Sequence, residues 1–405
     1  MNLLPHDLQV LAVGFALVLS SWIPAVLPWL PLPVGVLELL LGVTIGPQGL
    51  QLAHVGPFLT TASAFGLGTL FLMAGLEIDP ALLRDRPRHR LWTPWIGSAA
   101  LAFLVALGLL AFEGFSSPPI VALALTTTAM GILVPVLRDR SSLPDGYAQA
   151  LLRVATIGEV VPTVLFTLLL AGHRAPREAA ILLAFAGTSL LVFLLVQRHQ
   201  HRWQDLIEHS MHRSSQLPTR LVVACLCLMV VLNNVVQINL ALGGLVIGLL
   251  VREGMASPHR LRIGERLDGL GHGFFIPLFF LVSGMELDFR ALLPSPLLWA
   301  LVPLLAAAML LVRGLPVWLL HRRDLAPRPR LALAFDSATQ LPLVVAIAVM
   351  ARRAGLLSAP AATVLVAAAL ITVLLFPAAA SLLLRGSQPT AAAGLTPAAP
   401  PRSSP

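Results

Sequence analysis

The stretch Leu151-Leu152-Arg153-Val154-Ala155-Thr156-Ile157-Gly158-Glu159-Val160-Val161-Pro162-Thr163-Val164-Leu165-Phe166-Thr167 is largely apolar and carries one acid at its centre. Residues from about 148 to 171 read as one helix, which at ~1.5 Å per residue spans roughly 36 Å. That length crosses a bilayer core of ~30 Å and sets Glu159 near the midplane. A carboxylate at that depth is costly unless it is protonated, paired or bound to a cation. Glu159 is therefore read as a carboxyl poised between a proton and a cation.

Composition extends this reading to the whole chain. Its 405 residues are 57% hydrophobic and 11% charged, with a mean hydropathy of +0.86. A soluble domain carries about 25% charged residues, so a water-soluble fold is excluded. The formal net charge of +8 does not indicate a nucleic-acid partner. The charges cluster in short loops between apolar runs, which is the pattern of a chain threaded through a lipid bilayer. Cys225 and Cys227 lie in an apolar run and support neither a disulfide nor a zinc site. The N-terminus reads as a first membrane helix rather than a removable signal peptide. Residues 1–385 form the membrane domain, and the Pro/Ala/Ser-rich segment 386–405 reads as a disordered tail.

The apolar runs predict an all-α polytopic protein with about thirteen transmembrane helices. They start near residues 8, 32, 58, 91, 118, 148, 179, 220, 238, 270, 296, 330 and 358. All 27 basic residues are arginine. Twenty fall in loops after odd-numbered spans or in the tail, and five on the other side. Arg153 and Arg313 lie inside apolar runs. This bias puts the N-terminus outside and the C-terminus in the cytoplasm. His201, His209 and His212 fall in the polar loop after the seventh span and read as surface residues.

The two halves resemble each other. Leu70-Phe71-Leu72-Met73-Ala74-Gly75-Leu76-Glu77-Ile78-Asp79 closes span 3 and is echoed by Leu278-Phe279-Phe280-Leu281-Val282-Ser283-Gly284-Met285-Glu286-Leu287-Asp288 at the end of span 10. An offset of seven spans gives the copies opposite topology, as in transporters built from inverted repeats. The repeats cover about 8–171 and 220–385, linked by the seventh span and a basic loop. Span 5 should then match span 12. Span 5 carries Thr126-Thr127-Thr128 before Gly131 and Pro135, and span 12 carries Asp336-Ser337-Ala338-Thr339-Gln340 before Pro342. Polar residues followed by proline can be ordinary kinks with hydroxyls bonded back to helix carbonyls. As a matched pair they predict two broken helices with an ion site between the halves. Thr127, Thr128 and Thr339 then become candidate ligands beside Glu159, and Thr126, Ser337, Gln340 and Pro342 mark the breaks.

Other ionisable residues leave two readings each. Arg313 either meets a counter-charge or carbonyls in the interior, or snorkels to the cytoplasmic face. Glu38 either pairs with an arginine or lines the pathway, the pairing being the simpler role. Asp336 is either a supporting charge or a helix N-cap near Arg328 and Arg330. Glu77, Asp79, Glu286 and Asp288 end their helices and are expected in solvent. Asn233 and Asn234 are expected to break span 8 and bond between helices. Hydrolase, P-loop, zinc and dinucleotide signatures are lacking, so neither an enzyme nor a cofactor is expected.

Several strings together resemble the monovalent cation:proton antiporter superfamily, in the bacterial branch of sodium/proton and potassium/proton exchangers. They are Leu39-Leu40-Leu41-Gly42-Val43-Thr44-Ile45-Gly46-Pro47, Met73-Ala74-Gly75-Leu76-Glu77-Ile78-Asp79, Thr126-Thr127-Thr128-Ala129-Met130-Gly131, Phe280-Leu281-Val282-Ser283-Gly284-Met285-Glu286-Leu287-Asp288 and Leu341-Pro342-Leu343-Val344-Val345-Ala346. The resemblance covers spans 2 to 13. It implies that spans 5 and 12 unwind and cross beside span 6, that Glu159 stands where the family carries its ion-binding acid, usually Asp, and that Arg313 matches a basic residue of span 11. Where the family has a first polar residue in span 6, this chain has Gly158. The resemblance also implies Na⁺ or K⁺ and H⁺ as transported ions, a homodimer, and exchange by alternating access. The alternatives are a sodium-coupled organic solute symporter of the bile-acid-symporter-like fold, which calls for a larger cavity, an integral-membrane enzyme, and a passive channel.

Overall fold

The computed structural model describes residues 5–27, 33–77, 88–140, 143–171, 187, 217–236, 240–254, 257–293 and 295–385. The span expected near residue 179, the loop histidines at 201, 209 and 212, Asp79 and the tail from 386 lie outside the described residues. Every regular element among the described residues is helical. Among the described residues eight helical stretches are long and apolar enough to cross a membrane, three of them running through a π-helical turn or a break, and four shorter apolar stretches accompany them.

The helices sort into two packed groups. The first holds α1 (Pro5–Val26), α2 (Val34–Ile45), α3 (Pro57–Glu77) and four later helices. These are α8 (Leu217–Val236), α9 (Leu240–Gly254), α10 (Ser257–Leu270) and α11 (Ile276–Glu286), a π-helical turn at Gly271–Phe275 joining the last two. The second begins with α4 (Arg88–Leu109), α5 (Pro118–Leu125), α6 (Met130–Asp139) and α7 (Tyr147–Ala171). It continues with α12 (Pro296–Met309), α13 (Leu315–Leu320), α14 (Pro327–Ser337), α15 (Pro342–Arg353) and α16 (Ala359–Arg385). Within groups the packing is extensive; between them it is sparse, chiefly α3 on α6, α9 on α7 and α11 on α15.

The echoed strings have a packing reason. A Cβ at Gly284 would sit 2.1 Å from the Leu39 carbonyl oxygen, and one at Gly75 would sit 2.3 Å from that of Leu245. Each glycine thus lets α11 close on α2 and α3 close on α9, the small-residue contact that membrane helices use where lipid provides no hydrophobic drive.

The expected breaks are present. Residues 126–129 separate α5 from α6, and residues 338–341 separate α14 from α15. The hydroxyls of Thr126, Thr127 and Ser337 donate to Leu123, Ala124 and Ala334 at 2.9, 3.0 and 2.9 Å. They satisfy carbonyls at the broken ends, which hydrocarbon would otherwise leave bare. Pro342 begins α15, where a missing N–H is harmless. Pro135 lies within α6 and interrupts nothing, so the threonine run is the better marker of the first break.

Two expectations are corrected. The helix that leads into the tenth span starts at Ser257 and the candidate span at Ile263 rather than 270, because a polar helical segment precedes the apolar run. Asn233 and Asn234 do not break α8; they sit in its last turns on an exposed face, their side chains 3.4 Å apart.

Candidate ion-binding site

The two broken helices cross where their interruptions meet. The Ala129 N–H donates to the Thr339 carbonyl at 2.8 Å, and the Thr128 N–H donates to the Gly158 carbonyl of α7 at 3.0 Å. Gln340 is held on both sides. Its Nε2 donates to Leu125 O at 2.9 Å, capping the carbonyl end of α5, and its own N–H donates to Thr372 Oγ1 at 3.0 Å. The crossing is therefore knitted by backbone groups freed by the breaks.

α5 and α14 end at the crossing with their carbonyls, and α6 and α15 begin there with their N–H groups. Half-helix ends carry partial charges, positive at the N-terminus and negative at the C-terminus. Glu159 is 5% exposed and takes a backbone hydrogen bond from Met130, the first residue of α6. Its Oε2 has no hydrogen-bond partner among the described residues. Arg313 is 1% exposed. Its Nε and Nη2 donate to Thr128 Oγ1 at 3.1 and 2.7 Å, and its Nη2 also donates to Val154 O at 3.1 Å. The Thr128 hydroxyl passes its own proton to Ser337 O at 2.7 Å, at the end of α14.

Arg313 therefore does not snorkel. It lies in a π-helical turn, Leu310–Gly314, an irregularity that redirects a side chain within a helix. No carboxylate pairs with it among the described residues; a hydroxyl and a carbonyl are its ligands. It also explains the glycine before Glu159. A Cβ at Gly158 would fall 2.5 Å from Arg313 Nη2 and 2.6 Å from Thr128 Oγ1. The space of a side chain at 158 is filled by the guanidinium. Gly158→Ala is expected to destabilise the protein by about 1–3 kcal/mol, the usual range for overpacking. Thermal unfolding of the purified protein measures this, and an unchanged Tm would mean that Arg313 can give way at no cost.

Asp336 is not an N-cap. It lies in the last turn of α14, fully buried. Arg140 grips it with Nη1 to Oδ2 at 2.5 Å and Nη2 to Oδ1 at 3.1 Å, and the Tyr147 hydroxyl donates to Oδ2 at 2.7 Å. A carboxylate at a helix carbonyl end is unfavourable by itself, and the bidentate arginine compensates it. Reading Arg140 as a loop charge missed this. Tyr147 carried a signal: it is the only tyrosine in the chain, and it is fully buried.

Glu38 is buried in α2, in the first group of helices, with no ion pair among the described residues, so the arginine pairing expected for it is not found. Thr127 and Thr339 are buried at the breaks, each hydroxyl donating back to its own helix, Thr339 at a long 3.4 Å. Glu77 and Glu286 are not simply solvated. Glu77 lies at the end of α3, close enough for its charge to act on Glu159. Glu286 pairs with Arg352 at 2.9 Å and with Arg353.

Two hollows flank the crossing. One of about 970 Å³ opens between α4, α7 and the end of α13, and includes Arg153, Val154 and Ile157. At 100° per residue these lie on the opposite side of α7 from Glu159, so this hollow is not the site. The other, about 180 Å³, lies between the two groups of helices, lined by α3, α8, α11 and α15. Organic ligands occupy pockets of roughly 300–1,000 Å³, so this cavity suits ions and water better than an organic solute.

Two broken helices thus cross among apolar helices, with buried Glu159 and Arg313 close to their interruptions. Residues 15–386 match the family described as "Sodium/hydrogen exchanger, transmembrane", and the chain belongs to that family. It is a multi-pass membrane protein. It is 26% identical over 356 residues to the putative Na(+)/H(+) antiporter YjbQ of Bacillus subtilis, covering 83% of this chain and 56% of that protein. It is 23% identical to the Na(+)/H(+) antiporter of Enterococcus hirae, covering 70% of this chain and 74% of that protein. The chain thus spans little more than half the length of the Bacillus relative. The solved structure of the sodium proton antiporter MjNhaP1 from Methanocaldococcus jannaschii has the same fold, with a TM-score of 0.64, 19% identity, and coverage of 94% of this chain and 99% of that one.

Proposed function

We propose that this protein is a secondary active antiporter that exchanges a monovalent cation, Na⁺ or K⁺, for protons by alternating access. Glu159 is the carboxyl that binds H⁺ and the cation in turn. One observation carries the reading: a buried carboxyl at the crossing meets the Met130 backbone and has an oxygen with no hydrogen-bond partner among the described residues. A hard, desolvated oxygen of this kind is what an alkali cation replaces a proton on. The hydroxyls and carbonyls of Thr127 and Thr339 and the carbonyl of Thr128 complete the oxygen set, the Thr128 hydroxyl being taken up by Arg313 and Ser337. Arg313 and Asp336 hold the crossing, Asp336 through Arg140. The family and the names of the relatives support cation/proton exchange. The inner membrane, the N-terminus outside and a homodimer belong to the same proposal, as do the two inverted repeats with the boundaries given above.

The test is purified protein in liposomes with a trapped pH dye, challenged with Na⁺, Li⁺, K⁺ and Rb⁺. Dye response to at least one ion is expected, and silence to all four would end the proposal. The same liposomes report stoichiometry. One carboxyl alternating between H⁺ and a cation moves no net charge, Asp336 is committed to Arg140 and Tyr147, and an arginine does not release a proton as a lysine can. Exchange is therefore expected to be electroneutral. Each net charge per cycle is worth about 2.3 kcal/mol per 100 mV, or roughly 50-fold in the final ion gradient. A gradient indifferent to an imposed potential is expected, and a shift of that size would require a second titrating group, with Glu38 the first to test.

A further inference from the structure

We infer that Glu286, Arg352 and Arg353 form a latch that holds the cavity between the two helix groups shut on the side away from the arginine-rich loops. The inference rests on the alternating-access reading above. Glu286 ends α11 in the first group, and the two arginines end α15 in the second. Arg352 Nη2 lies 2.9 Å from one carboxylate oxygen of Glu286, and Arg353 Nη2 meets the other.

Three features set these contacts apart from an ordinary surface ion pair. First, the acid sits where helix physics disfavours it, at a carbonyl end, so its own helix gives no reason for it there. Its side chain is nonetheless 10% exposed, against 30% and 50% for the arginines, so it is held by its partners. Second, the contact joins groups of helices that otherwise touch sparsely. Glu286 and Arg353 also line the 180 Å³ cavity, at the helix-end limit of a lining that includes Thr61, Asn234 and Ser283. Third, α15 is the half-helix that starts at the crossing. Its 12 residues make a rod of about 18 Å with the crossing at one end and the latch at the other. A shift of the second group that exposes the crossing to this cavity carries Arg352 and Arg353 away from Glu286. The ion pair thus counts toward the closed state and is lost in the open one, which is how a differential contact biases a two-state equilibrium.

The test is thiol accessibility in nanodiscs, with Cys225→Ser and Cys227→Ser removing both native thiols. Ser283→Cys is the reporter, since Ser283 lines the cavity and is 2% exposed. Its reaction with a membrane-impermeant maleimide is expected to quicken roughly fivefold on Glu286→Gln, the size expected for losing a partly exposed ion pair. Arg352→Gln with Arg353→Gln should do the same, and Glu286→Arg combined with Arg352→Glu and Arg353→Glu should restore slow labelling. An unchanged rate in Glu286→Gln, in a parent whose labelling still responds to Na⁺ or K⁺, would overturn the latch and leave alternating access standing. Labelling indifferent to the ions, to Glu159→Gln and to Glu286→Gln alike would overturn both.

Discussion

Glu159→Gln is expected to reduce cation-driven proton movement to the background of empty liposomes while leaving the fold intact. Glutamine matches the side chain in size, and its carbonyl oxygen can still accept the hydrogen bond from the Met130 backbone. Packing and the polarity match with the start of α6 are thus largely kept. What is lost is the exchangeable charge, since an amide binds neither a proton nor an alkali cation with comparable strength. Melting temperature and gel-filtration profile should follow the parent. Glu159→Asp is the companion variant. It keeps a carboxylate on a shorter arm and should retain exchange with a changed apparent KM for the cation. Parent-like transport by Glu159→Gln would place the exchanging group elsewhere and remove the central element of the proposal.

Arg313→Met is expected to cost both stability and transport. Methionine fills much of the space of the arginine stem but donates nothing. Thr128 Oγ1 loses two donated hydrogen bonds and Val154 O loses one. Leaving buried groups unsatisfied costs about 1–3 kcal/mol, more where a charge was involved. Thermal unfolding should register a loss on that scale, with exchange slowed at least tenfold as the threonine turn relaxes, a factor that corresponds to about 1.4 kcal/mol on the barrier. Arg313→Lys should recover part of the stability and little of the rate. An ammonium restores charge but not the planar fork that reaches Thr128 and Val154 together. Full recovery by lysine would mean that charge alone, and not the hydrogen-bonded placement of Thr128, is what the crossing needs.

These two side chains also show how far the chain could be read without its fold. Glu159 was legible because an acid in a long apolar run is conspicuous and helix rise converts its position into depth. The breaks were legible because runs of hydroxyl residues in apolar segments mark carbonyls that need partners. Arg313 was visible, but its direction was not. A π-helical turn rotates it inward, and hydropathy is blind to a turn of that kind. Asp336 reads as a helix start beside Arg328 and Arg330, yet its helix begins at Pro327 and ends just after it.

The helix-end acids failed for a different reason. Glu77 and Glu286 close their helices, and a closing acid has the same sequence context whether it meets water or another group of helices. Only packing distinguishes them: it sets Glu77 within electrostatic reach of Glu159 and Glu286 against two arginines. Arg140 sits among loop charges in the sequence, while its partner Asp336 lies 196 residues away.

The sequence by itself determined the apolar surroundings, the approximate limits of most described spans, the two interruptions and the buried acid between them. Each follows from local free energies of transfer and of backbone satisfaction, which depend on a residue and its near neighbours. The tertiary structure alone decided the partners: Arg313 on Thr128, Arg140 on Asp336, the Met130 backbone on Glu159, and Arg352 and Arg353 on Glu286. Those depend on which helix ends meet in space, and in a membrane the meeting is set by glycine contacts and broken-helix dipoles whose effects act between segments far apart in the chain.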